Sequence, residues 1–215
     1  MHFLLFIFVW RVLMTDQEVL SEVRRTIQEE AESLQKLADR IDETSVLKAA
    51  KALQSCKGKV ILTGCGTSGM AAKKIAHTLS CIEVPALYMS PADAVHGDLG
   101  VLQKDDILVL ISKGGNTSEL LALIPACKTK QALLIGVSEN PESQIARSAD
   151  IYLEVKVDRE PDRFNMLATA STLAVISLFD AICIALTQLM GYTREQFAVI
   201  HPHGAVGERL LNHLD

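Results

Sequence analysis

The chain has 215 residues, enough for one domain with a substantial core. A formal charge of −5, 5% aromatic residues and the absence of a Lys/Arg cluster exclude a basic, base-stacking surface, so no nucleic-acid partner is expected. The five cysteines (Cys56, Cys65, Cys81, Cys127, Cys183) are scattered and lack a C-x-x-C pair, which reads as reduced thiols in a cytoplasmic protein.

Met1 to Met14 is apolar but too short to span a bilayer, is interrupted by Arg11, and lacks a basic start or a small-residue cleavage site. We read residues 1–14 as an upstream extension, with Met14 as the start, and residues 15–215 as a single domain. A membrane-associating tail is the alternative. From Asp16 to about Ile41, Val19, Leu20, Val23, Ile27, Leu34, Leu37 and Ile41 recur at helical spacing. Thr44 or Ser45 is expected to cap a second helix to about Leu53. These two helices either pack on a neighbouring subunit or cover one face of a sheet.

Lys59–Thr63 reads as a first strand, Gly64-Cys65-Gly66-Thr67-Ser68-Gly69 as a turn, and Met70–Leu79 as a helix. A second strand over Val84–Met89 leads into an irregular polar stretch, Ser90–Gly100. Asp106–Ile111 is almost wholly apolar, the mark of a strand buried on both faces. It ends in Ser112-Lys113-Gly114-Gly115-Asn116-Thr117-Ser118-Glu119, and a helix is expected from Thr117 to Lys128. Ala132–Val137, a short helix over Ser143–Ala149 and a strand over Ile151–Val155 complete the alternation. The pattern predicts an α/β fold, an open, doubly wound parallel sheet of five strands flanked by helices, with no membrane partner. Beyond a charged turn at Arg159–Asn165, Met166–Met190 is long, apolar and rich in small residues. Asp180 and several hydroxyls within it favour a buried helix, suited to a subunit interface, over a membrane span. A helix at Thr193–Val199, the run His201-Pro202-His203-Gly204 and an amphipathic turn to Asp215 close the chain.

The chemistry points to the two glycine turns. A strand, a tight turn and a helix aim free backbone N–H groups at one place, which favours an anion and above all a phosphate. Gly66, Thr67 and Ser68 would bind from the first turn, and Ser112, Lys113, Gly114, Gly115, Asn116 and Thr117 from the second. G-C-G-T-S-G is neither the full dinucleotide fingerprint nor a P-loop, but adjacent parallel strands would bring both turns to one sheet edge. His96, Glu119, Glu160 and His201 are polar residues beside strand ends or glycines, and they are the candidate catalytic groups. Carboxylates and histidines beside a phosphate cradle suit aldose–ketose isomerisation, which moves a proton through an enediol and needs no metal or organic cofactor. Structural roles compete: Glu119 as a first-turn helix residue, Glu160 as a solvated loop charge, His96 and His201 as loop anchors. Cys65 has no histidine fixed beside it as a nucleophile, and His201 with His203 lacks further ligands for a metal site.

The two turns, S-P-A-D-A-V-H-G-D-L-G, R-E-P-D-R-F-N-M-L-A-T-A-S-T and H-P-H-G-A-V-G-E-R-L-L together resemble the sugar isomerase (SIS) domain. Within it they look like the arabinose 5-phosphate isomerase branch, over roughly residues 16 to 214. The resemblance implies a flavodoxin-like five-stranded parallel sheet. It also implies a homotetramer with active sites shared between subunits, and interconversion of D-ribulose 5-phosphate and D-arabinose 5-phosphate. Phosphosugar binding would fall on Ser68, Ser112 and Thr117, and the functional polar positions on His96, Glu119, Glu160 and His201. That branch carries a lysine where this chain has Thr67 and a serine where it has Gly114; Lys113 is expected to restore the charge. The histidine with which some members take up zinc corresponds to Ser90, so no metal is expected. Many relatives append CBS modules after the histidine–glycine ending; with the chain stopping at Asp215, regulation through them is expected to be absent. The alternatives are a non-catalytic phosphosugar sensor and an isomerase of a hexulose or heptulose phosphate.

Overall fold

The structure, a computed structural model, describes residues 14–203. The expected extension before Met14 and the closing turn after His203 lie outside the described residues. Helix α1 (Asp16–Arg40) opens on a capping box in which Thr15 and Glu18 satisfy each other's backbone N–H. Helix α2 (Glu43–Gln54) is capped by Asp42, not by Thr44 or Ser45. The Asp42 carboxylate accepts from Thr44 N at 3.0 Å and Ser45 Oγ at 2.6 Å, and a negative charge suits a helix start better than a hydroxyl does.

Five parallel strands follow: β1 (Val60–Gly64), β2 (Ala86–Tyr88), β3 (Ile107–Ile111), β4 (Leu133–Ser138) and β5 (Ile151–Glu154). They lie in the order β2-β1-β3-β4-β5, the flavodoxin-like order that the resemblance implies. All residues of β1 and β3 are buried, because helices cover both faces of the sheet. On one face Val60, Leu62, Val109 and Ile111 pack with Ile75 and Leu79 of helix α3 (Gly66–Ser80) and Phe179 and Leu186 of helix α8 (Ala170–Leu189). On the other, Ile61, Leu108 and Leu110 meet Leu120, Leu123 and Ile145 from the shorter helices. Those are α4 (Pro91–Ala94), α5 (Ser118–Leu121), α6 (Ile124–Lys130) and α7 (Gln144–Ser148); α9 (Arg194–Ile200) ends the described chain.

Several boundaries depart from the sequence reading. The stretch expected as one helix from Thr117 divides into α5 and α6, because Pro125 has no N–H to give and sits in the first turn of α6. Ser90–Gly100 is not irregular: it holds α4, capped by Ser90, and a 3-10 turn at Asp98–Val101. Helix α8 starts at Ala170 rather than Met166. Asp162 accepts from Phe164 N, Met166 N and Leu167 N at 2.8 Å each, which folds the preceding segment into a tight loop. By length and composition α8 could cross a membrane; here it lies against α3, α1 and α2, and its Asp180 pairs with Lys74 of α3.

Two contacts fix the frame. At the amino edge, the buried Asp106 accepts from Lys59 Nζ at 2.8 Å, Lys59 N at 2.9 Å and Gln103 N at 2.7 Å. Burial pushes its carboxyl up, but these donors outweigh burial and hold it below the usual carboxylate range. At the carboxyl edge, Gly64 and Gly69 meet so closely that a Cβ on Gly69 would stand 2.6 Å from Gly64 O. Gly69→Ala is therefore expected to cost about 1–3 kcal/mol in chemical denaturation by forcing β1 and α3 apart. Asp106→Ala, which strands two partly buried N–H groups and the Lys59 ammonium, should cost a similar ~1–3 kcal/mol.

Candidate functional site

The strand order reverses between β1 and β3, which pair in parallel from Val60↔Ile107 to Gly64↔Ile111. At such a reversal the loops leaving the two strands diverge and open a crevice at the carboxyl edge. Here those loops are the two glycine turns.

The first turn is shorter than the sequence suggests, because α3 begins within it at Gly66. Gly66 takes a left-handed φ of +56°, and Cys65 at the N-cap supplies no side-chain oxygen to the helix. The start of a 15-residue helix is thus left for an outside acceptor. Thr67 and Ser68 stand in its first turn. Cys65 is no activated nucleophile: burial, and then the Glu119 charge, push its thiol up.

The second turn is held by its own hydroxyls. Ser112 Oγ accepts from Gly115 N at 3.1 Å and lies 2.8 Å from Thr117 Oγ1. Gly115 adopts a φ of +70° and touches Ser143, where a Cβ would come within 2.2 Å of Ser143 Oγ. Gly114 faces open space. Asn116 is occupied elsewhere, since its Oδ1 accepts from Gln144 N at 2.9 Å and ties the turn to α7.

Thr67, Ser68, Ser112 and Lys113 line one cleft of about 50 Å³ with Ser138, Ser171 and Thr172. The last three were not anticipated. Ser138 ends β4 at the same sheet edge, and the hydroxyls of the A-S-T run, set in an otherwise apolar helix, were the available signal for the others. A wider hollow of about 620 Å³ lies at the amino edge, where two of its three aspartates, Asp106 and Asp150, are already paired with Lys59 and Lys128.

Glu160 is 0% exposed, not the solvated loop charge that its sequence context allowed. Its Oε1 accepts from Lys113 Nζ at 2.6 Å and from Ser171 Oγ; its Oε2 accepts from Thr169 N at 3.0 Å and Ser171 N at 3.3 Å. It thereby caps α8, whose N-cap residue Thr169 makes no side-chain cap of its own. Burial pushes this carboxyl up, and Lys113, Ser171 and Thr169 pull it back below the usual carboxylate value.

The other candidates lie outside the cleft of this chain. Glu119 is exposed in the first turn of α5; its own N–H and Ser118 hold it below the ordinary value. His96 is exposed in the turn after α4, its N–H donating to Asp93 O at 2.9 Å. His201 stacks on Phe197 with ring centroids 4.0 Å apart and its Nδ1 3.0 Å from Phe197 O. Tyr192 OH donates to Cys81 O at 3.3 Å and Gln196 Nε2 to Glu83 Oε2 at 3.1 Å, so α9 is pinned beyond the C-terminal end of α3, away from the glycine turn. Among the described residues no group of three or more His, Cys, Asp or Glu side chains converges as metal ligands.

The sign of the Glu160 shift gives a pH prediction. Its folded value lies below the ordinary carboxylate value of about 4.3, so its contribution is present above that value and is lost as pH falls through the depressed one. Glu160→Gln should therefore flatten the acid limb of a stability–pH curve below about pH 4.5. The turn glycines should differ: Gly115→Ala is expected to destabilise by about 1–3 kcal/mol. Gly114→Ala should stay within about 0.5 kcal/mol in the same denaturation assay.

Known proteins share this architecture. The SIS domain matches residues 52–185. Arabinose 5-phosphate isomerase KdsD of Pseudomonas aeruginosa is 39% identical over 194 residues, covering 90% of this chain and 59% of that protein. The Yersinia pestis KdsD is 40% identical over 188 residues, covering 87% and 57%. The chain thus spans about three fifths of the length of these relatives. Among solved structures, a candidate sugar-phosphate isomerase of Listeria monocytogenes aligns with a TM-score of 0.87 at 57% identity, covering 88% of this chain and 100% of that one. An Escherichia coli CFT073 protein in complex with arabinose 5-phosphate aligns at 0.84 and 33%, with the same coverage. With the reversed strand order, the paired glycine turns and a domain match that runs from α2 into α8, the chain belongs to the SIS domain family.

Proposed function

We propose that the protein is an aldose–ketose isomerase that interconverts D-ribulose 5-phosphate and D-arabinose 5-phosphate by proton transfer through an enediol, without a metal. The observation that carries this reading is the convergence of both glycine turns and Lys113 on one cleft at the β1–β3 reversal. Helix-start N–H groups, three hydroxyl residues of the turns (Thr67, Ser68, Ser112) and an ammonium together suit a phosphate dianion, with Thr117 behind them on Ser112 Oγ. The named relatives and the sugar-phosphate complex support a pentose phosphate as its carrier.

In this scheme Glu119, exposed in the first turn of α5, takes a proton from C1 of the ketose to give the enediol and delivers one to C2 as the aldose forms, with the reverse transfer in the other direction. His201 opens the sugar ring and His96 orients its hydroxyls. Since neither histidine lines the cleft of its own chain, the scheme has them delivered by neighbouring subunits of a homotetramer. Two surfaces suit such an assembly. Val19, Leu20, Val23 and Ile27 form an exposed apolar stripe on α1, and a groove of about 350 Å³ runs between α1, α2 and α8. The unpaired state of all five cysteines accords with a cytoplasmic enzyme.

The test is to incubate the protein with ketose phosphates of five, six and seven carbons in deuterium oxide and follow them by NMR. Ribulose 5-phosphate should give arabinose 5-phosphate with deuterium at C2. Glu119→Gln should slow that exchange by about 10²–10⁴-fold. Binding of every sugar without exchange would replace the isomerase by a sensor, and turnover of a longer sugar alone would move the substrate.

A further inference from the structure

We propose that Glu160 is a positioning residue: with the start of α8 it holds the Lys113 ammonium over the cradle, where Lys113 selects ligands that carry an anionic group. This rests on the phosphosugar reading of the same cleft and assigns the two charges within it different tasks.

The division of exposure is the first argument. The Glu160 side chain is 0% exposed and that of Lys113 is 36%, and Lys113 lines the cleft while Glu160 does not, so the lysine is the member of the pair open to a ligand. A lysine ammonium has three N–H donors. One is committed to Glu160 at 2.6 Å, and the others remain for a ligand in the cleft that Lys113 lines. Untethered, a four-carbon stem samples many rotamers, and freezing it on binding would weaken affinity. The ion pair does that freezing in advance.

Saturation of the carboxylate is the second argument. Each oxygen accepts two hydrogen bonds, from Lys113 and Ser171 on Oε1 and from Thr169 N and Ser171 N on Oε2. To take a proton from carbon, Glu160 would have to turn past Lys113, release these donors and uncap a 20-residue helix. Proton transfer in the transition state favours a base poised near the working pH and free to reach the carbon. Glu160 is built the other way, as a fixed anion whose partners all stabilise its charge. Its neighbourhood is arranged to hold it: Glu160 N donates to Asn165 Oδ1 at 2.6 Å, and Arg25 of α1 donates to Pro161 O at 2.9 Å. The pair also keeps the cleft floor near neutral charge, so that an incoming dianion meets an ammonium at the front and no bare carboxylate.

The experiment measures inorganic phosphate affinity by titration calorimetry, together with kcat, KM and the pH profile, on the full chain. Lys113→Met should weaken phosphate binding and raise KM by about 10–100-fold, the loss of a charge-assisted contact, with a smaller fall in kcat. Glu160→Gln should raise KM in the same way and leave the acid limb of kcat/KM where it is. The double variant should be no worse than the weaker single one, because both remove one device. Ser171→Ala, which keeps the charge and loosens the tether, supplies a milder version should Glu160→Gln not fold; a rise in KM by about 2–5-fold is expected. A Glu160→Gln protein of normal phosphate affinity whose kcat falls about 10⁴-fold with loss of the acid limb would make Glu160 the base and overturn the proposal. Unchanged phosphate affinity in Lys113→Met would overturn it while leaving wild-type isomerisation intact. A wild type that neither binds phosphate nor turns over any sugar phosphate would remove this inference and the functional reading together.

Discussion

A single buried carboxylate ties the carboxyl edge together. Glu160 reaches from the loop after β5 to the second glycine turn through Lys113 and to the first turn of α8 through Thr169 and Ser171. A lone anion in that position would cost several kcal/mol; an ammonium and three further donors offset the cost. The arrangement is thereby brittle. Any one partner can be lost only by leaving charge or N–H groups without solvent, so loop, turn and helix keep one mutual geometry. The loop gains further support from outside, where Lys36 and Arg40 of α1 pair with Asp158 at 2.8 and 2.7 Å. That surface pair holds Asp158 well down, at about 2, but being exposed it adds little stability.

Beneath this lies a topological constraint. With strand order β2-β1-β3-β4-β5, the chain must leave β1 and β3 toward opposite faces of the sheet. The crevice is therefore a consequence of connectivity, and residue identity only tunes it. Gly64 and Gly69 bring α3 close enough for its first turn to face the cleft, while Gly115 lets the second turn settle on Ser143. Where the backbone has no such demand, as at Gly114, the position has room for a side chain.

Much of this was legible in the sequence. Strands buried on both faces announce themselves as unbroken apolar runs, and Ile107–Ile111 is as plain an example as the chain holds. The glycine turns were visible for the same reason, since small and polar residues interrupt those runs at strand ends. The partners of Glu160 were not. They lie 47, 11 and 9 residues away, and no local pattern encodes a contact across that distance, so a buried, saturated carboxylate looked like a solvated one. Asn116 misled in the opposite direction: it sits in the turn, yet its side chain serves α7. The break at Pro125 was readable, because proline cannot sit in a helix interior without cost. The regular leucine spacing concealed it.

The separation of 47 residues between Lys113 and Glu160 also bears on the order in which the molecule is made. Strands β1 and β3 and both glycine turns have left the ribosome before Glu160 is synthesised. At about 5–20 residues per second, the gap amounts to roughly 2–9 seconds. During that interval the nascent chain has the amides of both turns and a free ammonium, but neither counter-charge nor helix α8 to cover them. The half-built sheet in that interval exposes the face that Phe179 and Leu186 later cover. The last quarter of the described chain, which contributes no strand, thus completes both the core and the charge pairing of Lys113, and a nascent chain arrested before it would display an unpaired ammonium and an uncovered sheet face.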